Sequence, residues 1–85
     1  MTQFSYEIKD AAGIHARPAG LLVKLAGTFQ SDISIECGGK KASAKKLFAV
    51  MGMGIKCGSS VTVTAEGADE SEAAKQLEAF FKENL

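Results

Sequence analysis

In Ile33-Ser34-Ile35-Glu36-Cys37-Gly38-Gly39-Lys40-Lys41-Ala42-Ser43-Ala44, apolar and polar side chains alternate up to a pair of glycines. Alternation with a period of two marks a strand with one buried face. Two adjacent glycines supply the positive φ angles that a two-residue hairpin turn demands. The chain then returns as a short polar strand, Lys40 to Ala44, and its lysines mark it as a sheet edge guarded against edge-to-edge pairing. On the C-terminal side, Leu47-Phe48-Ala49-Val50-Met51 is a compact apolar run closed by Gly52 and Gly54, enough for a helix of one or two turns. Val61, Val63 and Ala65 alternate with Thr62 and Thr64 as a further strand. Asp69-Glu70-Ser71-Glu72 reads as a capping box headed by Asp, and Ala73, Leu77, Phe80, Phe81 and Leu85 recur behind it at helical spacing.

On the N-terminal side, Leu21, Leu22, Leu25, Ala26 and Phe29 predict a helix of about three turns that starts close to His15. Pro18 falls where a first turn tolerates a missing N–H. Ahead of it Phe4, Tyr6 and Ile8 alternate with Ser5, Glu7 and Lys9 as a first strand, which Asp10-Ala11-Ala12-Gly13 interrupts. The order β-α-β-β-α-β-α predicts an α+β fold of two layers, a four-stranded antiparallel sheet with one face covered by three helices.

With 85 residues the chain has room for one small domain, spanning 1–85. Its formal net charge is zero, which supplies none of the diffuse attraction that nucleic-acid binders rely on. The zero hides a skew: residues 1–65 hold eight basic and four acidic side chains, and residues 66–85 hold two basic and six acidic ones. A basic surface is therefore expected on one side and an acidic terminal helix on the other. Cys37 and Cys57 are too far apart for a CxxC site and cannot complete a four-ligand zinc site with a single histidine, so no metal or other cofactor is expected. Met1-Thr2-Gln3-Phe4 lacks the basic and apolar regions of a signal peptide, which points to a reducing cytoplasm and free thiols. No apolar run approaches the roughly twenty residues of a bilayer span, so no membrane insertion is expected.

The chemistry concentrates in Gly13-Ile14-His15-Ala16-Arg17-Pro18-Ala19-Gly20. This stretch places an imidazole at the start of a helix, where unpaired N–H groups and the dipole favour an anion. Arg17 offers planar donors for bidentate pairing with phosphate oxygens, and Pro18 fixes the backbone of the first turn. A neutral imidazole keeps a lone pair on one nitrogen near pH 7 and can act as a nucleophile. A phosphoryl group on that nitrogen is readily passed on, which suits a relay. No second acid or base and no Gly-rich nucleotide loop accompany His15, so a stand-alone enzyme is not indicated.

Gly13-Ile14-His15-Ala16-Arg17-Pro18-Ala19 resembles, residue for residue, the phosphorylation-site motif of the HPr family, the histidine phosphocarriers of bacterial sugar uptake. The double-glycine turn, the segment Leu47 to Gly54, Gly67 and the acidic start of the last helix also fall where that family has them. The resemblance implies an open-faced β-sandwich. It implies that enzyme I, charged by phosphoenolpyruvate, phosphorylates Nδ1 of His15, which then donates the group to a sugar-specific enzyme IIA. Carried over, the surface that meets both partners comprises Ala16, Arg17, Gly20, Lys24, Leu47, Phe48 and Met51. Physically, Leu47, Phe48 and Met51 would form a small apolar patch rimmed by Lys24, Lys45 and Lys46, with Phe48 as the exposed anchor and Val50 facing inward.

Gram-positive members carry a regulatory serine at the start of the second helix, where this chain has Lys46, which cannot accept a phosphoryl group. Ser43 is nearby but out of register, so no kinase control through this position is expected. A monomer is expected, because two successive partners must reach one unoccupied surface. The rival reading within the resemblance is an HPr-like regulatory module that binds partners outside sugar transport. A small metallochaperone or ligand-sensing domain would need a metal-ligand neighbour that neither cysteine has.

Overall fold

The computed structural model describes residues 1–11, 13, 14 and 16–85. In chain order the elements are β1 (Thr2–Glu7), α1 (Ala16–Ala26), β2 (Asp32–Cys37), β3 (Lys40–Ser43), α2 (Leu47–Gly52), β4 (Ser60–Glu66) and α3 (Glu70–Asn84). Strands β2 and β3 form the expected hairpin, with Cys37 opposite Lys40 and φ of 57° at Gly38 and 82° at Gly39. One further bond, from the Ala44 N–H to the Ile33 carbonyl at 2.9 Å, carries the pairing past the end of β3.

The four strands form one antiparallel sheet in the order β1-β4-β2-β3, with β1 and β3 at its edges. Register sorts the side chains into two faces. Phe4 and Ile35 both lie opposite Val63, and Ile33 opposite Ala65, on the face the helices cover. Gln3, Ser5, Ser34, Thr62 and Thr64 lie on the other, polar face, where Gln3 donates to Thr64 at 3.2 Å and the Ser5 and Thr62 hydroxyls are 3.4 Å apart. That alternation is what makes the sheet open on one side, since hydroxyls and an amide gain nothing from a helix laid over them.

The helices supply Ala19, Leu22 and Ala26 from α1, Val50 from α2, and Ala73, Leu77 and Phe81 from α3 to the shared core. Phe81 is fully buried, with its ring edge-on to Phe4, Tyr6 and Phe80 at centroid distances of 5.8, 5.7 and 6.1 Å. Burying such a ring stabilises by about 1.5–3 kcal/mol, and edge-to-face partners add to it. Ile8, just past β1, is also fully buried, and its N–H and carbonyl pair with the Ser59 carbonyl and the Gly58 N–H at 2.9 and 2.7 Å.

Two local expectations are corrected. Leu21, placed by spacing in the buried stripe of α1, is 47% exposed. The helix is turned so that Ala19, Leu22 and Ala26 (i, i+3, i+7) make its core line, and two small alanines let it approach closely. Asp69 is the N-cap of α3, yet its side chain makes no capping bond. It accepts instead from the Gln30 N–H at 2.8 Å, the Ser31 N–H at 2.9 Å and the Ser31 hydroxyl. The loop ahead of β2 outcompetes the helix by offering three donors at once, including that of a fully buried serine.

Both cysteines are unpaired thiols, Cys37 half-buried at the end of β2 and Cys57 exposed ahead of β4. No helix among the described residues is long and apolar enough to cross a membrane.

Candidate functional site

The loop from β1 to α1 is seated before it reaches the helix. Gly13 adopts φ of 67°, and a Cβ built on it would fall 2.3 Å from the Ile55 carbonyl oxygen and 2.7 Å from Lys56 Cα. Only glycine supplies both the left-handed backbone and the close approach. The Gly13 N–H donates to the Asp10 carbonyl at 2.9 Å, and the Ile14 N–H to the Ile55 carbonyl at 3.1 Å, while the Ile14 side chain is buried. The Lys9 and Asp10 N–H groups both donate to the Leu85 carbonyl, at 2.5 and 2.8 Å. Position 15 thus follows two residues pinned to the segment ahead of β4. His15 itself, the expected phosphoryl acceptor, lies outside the described residues.

Beyond it α1 opens at Ala16, with Ala16 and Arg17 exposed and Pro18 and Ala19 buried. Pro18 is the third helical residue, where no intrahelical bond needs its N–H. Its buried ring anchors the turn, whose first N–H groups have no intrahelical acceptor and directly follow position 15 in the chain. Arg17 lines a shallow groove of about 240 Å³ with Asp10, Pro18, Leu21 and Asn84, which brings the end of α3 next to the first turn of α1.

Arg17, Gly20, Leu21 and Lys24 follow one another at i, i+3, i+4 and i+7 and make one stripe along α1. Arg17, Leu21 and Lys24 are exposed, Gly20 is half-buried, and a Cβ on Gly20 would meet nothing within 4 Å. Helix α2 packs against α1 and adds Phe48, 85% exposed, with Met51 exposed and Leu47 half-buried beside it, while Val50 points into the core as expected. The surface is a stripe with two cations and one exposed leucine, next to a helix that holds an aromatic ring out in solvent.

Lys45 departs from its expected place on the rim. Its ammonium donates to the Phe29 carbonyl at 2.9 Å, which ties the start of α2 to the turn after α1. Lys46 is the exposed N-cap of α2, with φ of −117° and no capping bond from its side chain. Ser43 ends β3, and its hydroxyl accepts the Lys45 N–H at 3.3 Å, so it belongs to the strand and its turn.

Four residues that shape this surface escape sequence reasoning. Gly13 reads only as a break, although a lone glycine followed by an isoleucine in a polar loop signals a seated turn. Ile14 and Ile55 are core plugs supplied by loops, and no periodicity marks them. Leu21 is adjacent to Leu22, so either one fits a helical stripe, and packing decides between them. Among the described residues no group of three or more His, Cys, Asp or Glu is placed to hold a metal ion.

The family model described as the PTS HPr component phosphorylation site matches residues 2–83. Among solved structures, the chain is similar to the histidine-containing phosphocarrier protein of Mycoplasma, with 36% identity over 96% of this chain and 93% of that one and a TM-score of 0.94. It is similar to HPr of Thermoanaerobacter tengcongensis, with 43% identity over 100% of both chains and a TM-score of 0.89. It is also similar to the Bacillus subtilis catabolite repression protein Crh, there a swapped dimer, with 39% identity over 100% of this chain and 98% of that one and a TM-score of 0.78.

Proposed function

Because the chain belongs to the HPr family, the phosphocarrier component of the phosphotransferase system, we propose that it relays a phosphoryl group through His15. The group passes from enzyme I, which takes it from phosphoenolpyruvate, to Nδ1 of His15, and then to a sugar-specific enzyme IIA, which regenerates the free imidazole. One observation carries the reading: a chain matched by a phosphorylation-site model over residues 2–83 presents an exposed Arg17 and the first turn of a buried-proline helix beside position 15. Arg17 pairs with the phosphoryl oxygens and the first-turn N–H groups add a fixed partial positive charge, so the group is held without being trapped. The partners supply the remaining acid and base chemistry, which makes the protein a carrier and not a catalyst of its own.

Ala16, Arg17, Gly20, Lys24, Leu47, Phe48 and Met51 form the docking surface for both partners. Its cations suit acidic partner faces, and the Phe48 ring offers a compact anchor whose small area suits brief encounters. The carrier works in the cytoplasm as a monomeric single domain, 1–85, with this face open to each partner in turn. Lys46 at the head of α2 leaves that position without a kinase-controlled serine.

Likeness to Crh favours one second reading, a regulatory module that docks on partners without serving sugar uptake. Reconstitution separates the two. With phosphoenolpyruvate, magnesium, enzyme I, an enzyme IIA and its sugar permease, sugar phosphate is expected to form only when this chain is added, and not with His15→Ala. Loading of the chain without onward transfer to any enzyme IIA would support the regulatory module.

A further inference from the structure

We propose that β3 and the groove between it and α2 form a second docking surface, one that takes an acidic, extended segment of a partner protein by strand addition. Strand β3 is an edge of the sheet. The Ala44 N–H turns inward to the Ile33 carbonyl, so by the alternation of an antiparallel ladder Ala42 and Lys40 also turn inward, and Lys41 and Ser43 turn their backbone groups out of the sheet. The Ser43 carbonyl is taken by the Lys46 N–H at 3.2 Å. The Lys41 N–H and carbonyl and the Ser43 N–H remain, with no partner among the described residues. These three groups are the template on which an incoming strand pairs.

Beside them runs an open groove of about 650 Å³ with Ala49, Gly52 and Met53 as its α2 wall and Lys40, Lys41 and Lys46 along its border. None of the three lysines is in an ion pair among the described residues. The charge selects the occupant. A second copy of this chain laid along β3 would set lysines against lysines, whereas an acidic strand meets them with opposite charge. In such a strand, the side chains on the open face of the sheet meet Lys41, and the alternate ones lie on the helix side with Lys40, Lys46 and the Ala49–Met53 wall. This surface lies on the β3 side of α2, apart from the α1 stripe, so its occupant and a phosphoryl-transfer partner use different contacts.

The test is an NMR titration of the ¹⁵N-labelled protein with an acetylated, amidated heptapeptide that alternates glutamate and valine. Shifts are expected at the Lys41 and Ser43 amides and over residues 49–53. Lys40→Glu with Lys41→Glu should weaken binding about tenfold, as expected when two exposed ion pairs become repulsions. A peptide N-methylated on the edge facing β3 should not bind, because the template groups lose their partners. Shifts centred on Arg17 and Phe48, equal binding of the N-methylated peptide, or unmoved Lys41 and Ser43 amides at millimolar peptide would overturn the proposal.

Discussion

Gly20 sits between Arg17 and Lys24 on the stripe proposed to face the partners, inside a helix where glycine is a poor choice. Nothing in the chain requires the bare backbone, since a Cβ there would touch no atom within 4 Å. Replacement by alanine should therefore raise stability by about 0.5–1 kcal/mol, read from urea unfolding. If a partner's backbone closes onto this point, the same methyl should slow transfer from enzyme I about tenfold, which corresponds to 1.4 kcal/mol of lost transition-state binding. A variant that is more stable and transfers at the native rate would show that Gly20 has no docking role. At this scale the sequence is an uneven guide. Residue identity already singles out Arg17 as a candidate phosphate ligand and Phe48 as a candidate anchor, because their chemistry is in their side chains, and both are exposed. The exposure of Leu21 and the tether from Lys45 to Phe29 depend on how α1 and α2 pack, which spacing leaves open.

Helix α3 is fastened to the sheet at its first residues, and the fastening is long-range. Gly67 adopts φ of 153°, and a Cβ on it would lie 2.7 Å from Ser31 Cα. Gly67→Ala combines backbone strain with a clash against main chain, and should cost about 2–4 kcal/mol in denaturant unfolding. An unchanged midpoint would contradict this. Two residues on, the Ser31 hydroxyl and then the Gln30 N–H hold the Asp69 carboxyl below its ordinary value. A carboxylate lowered in the folded state stabilises fully above its unfolded value, near pH 4, and loses that contribution as pH falls through the folded value. Asp69→Asn should therefore lower Tm by several degrees at pH 7, and the gap to the native protein should close as melts are taken below about pH 4. A gap that is constant with pH would mean that charge plays no part. A capping box is the local reading of Asp69-Glu70-Ser71-Glu72, and it does locate the start of α3. It misses the Asp69 partners because they lie 38 and 39 residues away, beyond any local pattern.

The skew of charge along the chain becomes an arrangement in space. Arg17, Lys24 and Lys46 are exposed on α1 and at the head of α2, while α3 carries Glu72 and Glu83 into solvent. If the proposed partners present acidic faces, encounter should be steered to this exposed cationic face of α1 and α2, with a rate that falls as salt rises. Element types and their order are legible in the sequence because each rests on a local period or a turn residue. The strand order β1-β4-β2-β3 is not, since pairing the first strand with the last depends on which registers close the apolar face. The candidate site is legible as a motif, and its seat on Ile55 and Lys56 emerges only from the folded loop. The claim that joins these levels is that one histidine carries the phosphoryl group. Intact-protein mass spectrometry after incubation with phosphoenolpyruvate, magnesium and enzyme I tests it, with His15→Ala in parallel. The expected result is the mass of a single acid-labile phosphoryl group on the native protein and none on the variant. No gain with a demonstrably active enzyme I, or an equal gain on both proteins, would contradict it.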